Sequence, residues 1–329
     1  MRTARWGRGG LMVAVAAAVV LSVTAGARSA AGAPVPPRLP AVQAGTLQER
    51  YAANRGYIAE SERAARRIGD RDRERHLRQL NAPGRNFLSF SPHGDGQAVE
   101  VLGDLTDAHR VVVLVPGSDA TVDTFDFLGS HQASLGGGAR ALYAELNRLS
   151  HAPVAVVAWY GYRAPRTMST DVATTARAEE GGGRLATLLG ELRDANSRAT
   201  VTFLCHSYGS VVCGEAVSRM TFRTASGLDG IAVFGSPGMG VRSLSELPVR
   251  IPVWAGRGAG DWIAHAPHVS VSVLGETLGF GTDPVSASFG ATSFDAGTGG
   301  HSGYLVPGSL PLRNLALIGL GRGAEVSHG

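Results

Sequence analysis

Residues 202–212 read Thr-Phe-Leu-Cys-His-Ser-Tyr-Gly-Ser-Val-Val. The apolar run Val201–Leu204 predicts a buried strand, and the small residues from Ser210 predict a helix. Between them, Ser207 falls in a turn too short for anything but a sharp reversal. Strand, Ser-bearing turn and helix are the setting of a nucleophile elbow, usually written Gly-x-Ser-x-Gly. Each residue type has a reason. The turn lifts the Ser207 hydroxyl clear of the sheet, and Gly209 lets the following helix approach closely. The hydroxyl then faces a helix N-terminus, where N–H groups favour developing negative charge. Cys205 stands where the first Gly is usual; that place needs a small side chain, which Cys supplies.

Outward from this turn, short apolar runs alternate with helical stretches. Val99–Leu102, Val111–Val115, Val154–Trp159, Val201–Leu204, Ile231–Phe234 and Ile251–Ala255 are expected strands, several apolar throughout, as where helices cover both faces of a sheet. Gly138–Leu149, Thr170–Arg193 (broken near Gly181–Gly183) and Ser210–Phe222 are expected helices. About 200 residues of this alternation predict an α/β fold with one mostly parallel, doubly wound sheet. The segment Gly275–Gly303 reads as mainly loop.

A hydroxyl nucleophile needs a base, and the base an orienting acid. Asp261 follows the strand Ile251–Ala255, at the sheet end where such folds gather reactive groups. Asp295 would lie within a last short strand and Asp283 in the loop before it, so both fit less well. His301 sits in the glycine-rich stretch Gly297–Gly303, after the acid and near the chain end, which gives the order Ser, acid, His. The two N–H donors for an oxyanion are expected from Tyr208, directly after the nucleophile, and from Ser118, in the Pro116-Gly117-Ser118-Asp119 turn after Val111–Val115.

Other patterns carry less. Gly256-x-Gly258-x-Gly260 lacks the spacing and following acid of a dinucleotide turn. His265-Ala-Pro-His268 has no third ligand near it, so no metal is expected. Asp70-Arg-Asp72-Arg-Glu74 lacks the turn glycine of a calcium loop. Cys205 and Cys213 are expected to be two small buried apolar residues rather than a bridge. All 31 basic residues are Arg, which excludes Schiff-base chemistry and a P-loop lysine. The net charge of +4 is terminal: Arg2, Arg5, Arg8 and Arg28 precede the first acid, Glu49. Without them the remaining Arg balance the 27 Asp and Glu, so no nucleic-acid partner is expected.

Residues 1–33 have the anatomy of an export signal: a basic start, an apolar run from Leu11 to about Ala27, then small residues. Secretion is expected, with anchoring to a membrane through this segment as the alternative if it stays uncleaved. Residues 34–45 read as an extended, mobile proline-rich linker. Residues 46–82 read as a solvated helical arm, broken at Gly69 and dense in alternating charge, and residues 83–329 as the α/β domain.

Together Gly94-Asp-Gly96 with Ala98-Val-Glu-Val101, Val115-Pro-Gly-Ser-Asp119, Ala158-Trp-Tyr-Gly-Tyr162, His206-Ser-Tyr-Gly-Ser210, Gly235-Ser-Pro-Gly238, Asp283-Pro284 with Phe289-Gly290, and Gly300-His-Ser-Gly-Tyr304 resemble an actinobacterial family of α/β hydrolases with no settled substrate. The resemblance runs from about residue 45 to 310. It implies the α/β-hydrolase fold and a Ser207–Asp261–His301 triad. The expected activity is that of a serine hydrolase needing no cofactor, with a small carboxylic ester or other acyl substrate. An amide or peptide hydrolase, or a non-catalytic binding protein on the same scaffold, are the competing expectations.

Overall fold

The computed structural model describes residues 34–127, 133–167, 175–265, 270–273 and 276–328. The expected export signal, residues 1–33, lies outside them. Among the described residues two helices lead, α1 (Leu47–Arg67) and α2 (Arg71–Leu80). They meet at Gly69, whose φ of +75° suits glycine, and Asp70 caps the second by accepting the Arg73 N–H.

The strands that follow among the described residues are β1 (Asn86–Ser91), β2 (Gln97–Leu102), β3 (Arg110–Val115), β4 (Val154–Tyr160), β5 (Thr200–His206), β6 (Leu228–Phe234), β7 (Val253–Gly256), β8 (Ser270–Val273), β9 (Glu276–Gly279) and β10 (Thr292–Ser293). The helices among and after them are α3 (Leu135–Leu149), α4 (Ala176–Ala195), α5 (Gly209–Ser218) and α6 (Leu310–Gly319).

Eight strands form one sheet in the order β1-β2-β4-β3-β5-β6-β7-β10. β4, β3, β5, β6, β7 and β10 are mutually parallel, and β2 runs against β4 and β1. β8 and β9 make a separate antiparallel pair. One face of the sheet carries α4 and α5, whose Leu185, Leu189, Val211 and Val212 pack on Val113, Val157 and Phe203. The other carries α3 and α6, whose Leu142, Leu146, Leu315 and Ile318 pack on Val112, Val156 and Leu204. The alternation of strand side chains between two apolar layers is why these strands are apolar along their whole length.

Three expectations are corrected. The stretch through Gly181–Gly183 does not break its helix. A Cβ on Gly182 would lie 2.7 Å from the Ala216 backbone nitrogen, so the glycine is there to let α4 and α5 touch. The arm is solvated on one side only. Exposed Arg66 and Arg78 pair with Glu62 and with buried Glu74, while Leu47, Tyr51, Tyr57, Ile58, Leu77 and Leu80 are buried beside edge strand β1, shielding it. The proline-rich stretch is tied down rather than mobile: Val42 is buried, and Arg50 donates to the Pro40 carbonyl and, at 2.6 Å, to that of Leu88.

Candidate active site

The strand order reverses at β3, because β4 lies on one side of it and β5 on the other. Chain ends leaving β3 and β5 therefore diverge and open a crevice at their carboxyl ends, where ligands bind in such sheets. Ser207 leaves β5 there. Its φ of +52° is in the left-handed region, a conformation costing an L-residue about 1–2 kcal/mol. It is held by the Ser207 N–H on the Phe234 carbonyl at 3.0 Å and by the Ser210 N–H on the Ser207 carbonyl at 2.9 Å.

β7 and β10 are parallel to β5, so the loops after all three emerge at one edge. Asp261 follows β7 and His301 follows β10, and the three expected side chains meet. The Ser207 Oγ is 2.9 Å from His301 Nε2. His301 Nδ1 is 2.9 and 3.1 Å from the two Asp261 carboxylate oxygens. A carboxylate can only accept, so Nδ1 carries the proton and Nε2 is left to accept from the serine hydroxyl. Burial opposes ionisation of Asp261, but hydrogen bonds from His301, Tyr304 and the Ile263 N–H outweigh it and hold its pKa below the ordinary value. The competing acids are engaged elsewhere: Asp283 pairs with Arg257 at 2.6 Å, and Asp295 accepts the Gly297 N–H.

The loop after β3 lies against the serine. A Cβ on Gly117 would come within 2.6 Å of the Ser207 Cβ, and one on Gly209 within 2.7 Å of the Pro116 carbonyl oxygen. Hence only glycine lets the two turns interlock. Tyr162 fixes the loop from behind, donating to the Pro116 carbonyl at 2.8 Å; burial pushes its pKa well up, so it stays a donor. Tyr208 is the residue at the start of α5, directly after Ser207, and Ser118 follows Gly117. Both expected oxyanion donors thus belong to segments bordering the hydroxyl.

Three features were not assigned from sequence. Cys205 and Cys213 are joined in a disulfide, their Cα atoms 6.6 Å apart, contrary to the expectation of two separate apolar side chains. The elbow folds α5 back along β5, which brings residues eight apart within bridging range. His206 packs on His301, with ring centroids 4.8 Å apart, and its Nε2–H donates to the His301 carbonyl at 2.8 Å. Burial and the neighbouring His301 push its pKa down to about 3, so it is neutral. Tyr304 donates to Asp261 at 2.5 Å. A small cleft, walled by Leu114, Leu135, Phe234 and Leu305 and also by Ser134 and Ser302, opens beside His301, and half-exposed Trp262 stands 4.7 Å from the imidazole centroid.

Of the His265–His268 pair, His265 is exposed and His268 lies outside the described residues. Among the described residues no three His, Cys, Asp or Glu side chains are gathered as a metal site.

Residues 91–271 match the model of a family described as alpha/beta hydrolase. The chain belongs to this alpha/beta hydrolase family. Two uncharacterized proteins from strains of Mycobacterium tuberculosis are each 27% identical to it over 256 residues, covering 70% of this chain. The chain spans 38% of the length of those curated relatives. Among solved structures, this alpha/beta hydrolase is similar to a Xanthomonas campestris α/β serine hydrolase without a lid (TM-score 0.42, 15% identity, 73% of this chain and 95% of that one). It is also similar to esterase PE8 (0.41, 16%, 66% and 95%) and to carboxyl esterase 2 of the fungus Tuber melanosporum (0.42, 12%, 73% and 86%).

Proposed function

We propose that the protein is an exported serine hydrolase that cleaves small carboxylic esters through an acyl-enzyme. The observation that carries this is the unbroken chain Ser207 Oγ, His301 Nε2, His301 Nδ1, Asp261, with every link at 2.9 Å. As Ser207 Oγ bonds to the ester carbonyl carbon, its proton passes to His301 Nε2, and Asp261 stabilises the resulting imidazolium. The carbonyl oxygen becomes an oxyanion facing the Tyr208 and Ser118 amides. Collapse breaks the bond to the alcohol oxygen, which takes the proton from Nε2. Water then attacks the acyl-serine by the same route, releasing the acid and restoring the hydroxyl.

The chemistry asks for no metal or organic cofactor, since the amides and the imidazolium stabilise the charge. The cleft beside His301 combines apolar walls (Leu114, Leu135, Phe234, Leu305) with polar Ser134, His206 and Ser302, which supports a substrate with both an apolar part and a polar group. A disulfide in the elbow supports export, because such bonds persist in oxidising compartments.

The test is to react the protein with a fluorophosphonate probe and a panel of esters, lipids, amides and peptides, with Ser207→Ala in parallel. Wild-type labelling and ester turnover, both lost in Ser207→Ala, are expected. A folded wild type that neither labels nor turns over any substrate would instead mark a binding protein on this scaffold. Turnover confined to amides would move the assignment to an amide or peptide hydrolase.

A further inference from the structure

We propose that Tyr304 is a positioning residue for the hydrolytic reaction: from the turn that carries His301 it holds the Asp261 carboxylate facing the imidazole and draws off part of its charge. The proposal rests on the reading of the site as a serine hydrolase.

The direction of the Tyr304 proton follows from its partners. Its oxygen accepts the Gly258 N–H at 3.1 Å and lies 2.5 Å from Asp261 Oδ2. The amide occupies a lone pair, and a carboxylate cannot donate, so the hydroxyl proton points at Asp261. The ring is buried and fixed, with its centroid 5.2 Å from that of Phe234 and 5.7 Å from that of His206.

Asp261 is 2% exposed, so its oxygens must be satisfied by protein. Oδ1 accepts from His301 Nδ1 and from the Ile263 N–H, each at 2.9 Å. Oδ2 has the longer 3.1 Å approach of His301 and the short bond from Tyr304. Without Tyr304, Oδ2 would lose its best donor, and the carboxylate would be free to turn toward the imidazole alone. The turn from Gly300 to Tyr304, closed by the Gly303 N–H on the Gly300 carbonyl, would also lose its second tie to the loop after β7.

This predicts both a rate effect and a charge effect. A carboxylate that shares its charge with a hydroxyl attracts an imidazolium less strongly. The other groups facing this imidazole are Ser207, neutral His206 from β5 and apolar Trp262. Arg257, in the loop of Gly258, is paired with Asp283. Charge on Asp261 is thus the main variable, and Tyr304 regulates it.

The experiment compares Tyr304→Phe, Asp261→Asn and the double variant in the full chain, with ester turnover followed against pH. Tyr304→Phe is expected to lower kcat about tenfold with KM nearly unchanged. The acidic limb of kcat/KM should move upward by about half a pH unit. Asp261→Asn should leave nothing further for Tyr304→Phe to remove. Fluorophosphonate labelling rates against pH report the same limb from folded sites alone, so loss of folded protein does not hide the answer.

An unmoved limb, or losses that multiply in the double variant, would make Tyr304 a packing residue and overturn the proposal. Ser207→Ala separates the two levels. If it is dead while Tyr304→Phe behaves as wild type, only the role of Tyr304 falls; if it labels like wild type, the hydrolase reading falls first.

Discussion

Acid should destabilise this protein through His206, and the size of the effect follows from its surroundings. In the unfolded chain a histidine titrates near about 6.5. In the folded protein burial and His301 push His206 down to about 3. The native pKa is the lower one, so below about pH 6.5 the unfolded chain binds the extra proton and gains. The stability contributed by neutral His206 is therefore complete above about pH 6.5 and drains away as pH falls toward about 3. At pH 5 the unfolded histidine is almost fully protonated and the native one hardly at all, which amounts to about 2 kcal/mol lost relative to pH 8. Any native value below about 4 leaves that figure unchanged, because the native form is then still neutral at pH 5. The assay is urea unfolding at pH 8 and pH 5, for wild type and for His206→Gln, whose amide can still reach the His301 carbonyl but does not titrate. Loss of ring contacts lowers the variant equally at both pH values, so the difference between the two drops isolates the proton. Wild type should fall by about 2 kcal/mol more than the variant. Equal drops would show that His206 takes up its proton as freely in the folded protein as in the unfolded chain, so that burial does not hold it neutral.

Other outcomes follow from the same contacts. Gly117→Ala places a methyl against the Ser207 Cβ, so the loop after β3 must retreat; ester turnover should fall by about 10²–10³, read from kcat in a variant whose circular dichroism is unchanged. Replacing both Cys205 and Cys213 by Ser should lower stability by about 2–3 kcal/mol, the amount a loop of this length implies, measured by urea unfolding without reductant. The native protein should take up no alkylating agent until it is unfolded and reduced, and mass spectrometry of the intact chain would show it.

Where local chemistry dominates, the chain was readable from its residues. The runs Val111–Val115 and Val154–Trp159 are β-branched and aromatic, and they form strands within a residue or so of the expected ends. Ser207 was legible because a strand, a one-residue reversal and a glycine-led helix leave few alternatives. Other local signals are masked by the residues around them. Ser309 caps α6 by accepting the Leu312 N–H, with Pro311 in the first turn, a start signal that was hidden behind the glycine-rich stretch before it. β1 went unread because a register shift between Phe87 and Ser89 interrupts the alternation that marks a strand.

The elbow, the apolar strands of a mostly parallel sheet, and the order of Ser207, Asp261 and His301 are written in the residues themselves. That Cys205 bridges Cys213, that Tyr304 shares Asp261 with His301, and that His206 holds the His301 carbonyl emerges from the folded chain. The physical reason is separation along the chain. Hydrophobic period and turn chemistry act among neighbours, whereas Asp261 and Tyr304 come from two different loops, His206 meets a loop far along the chain, and the disulfide needs the elbow to fold α5 back along β5. Parallel pairing delivers those loops to one edge of the sheet, and no local preference records which side chains will then touch.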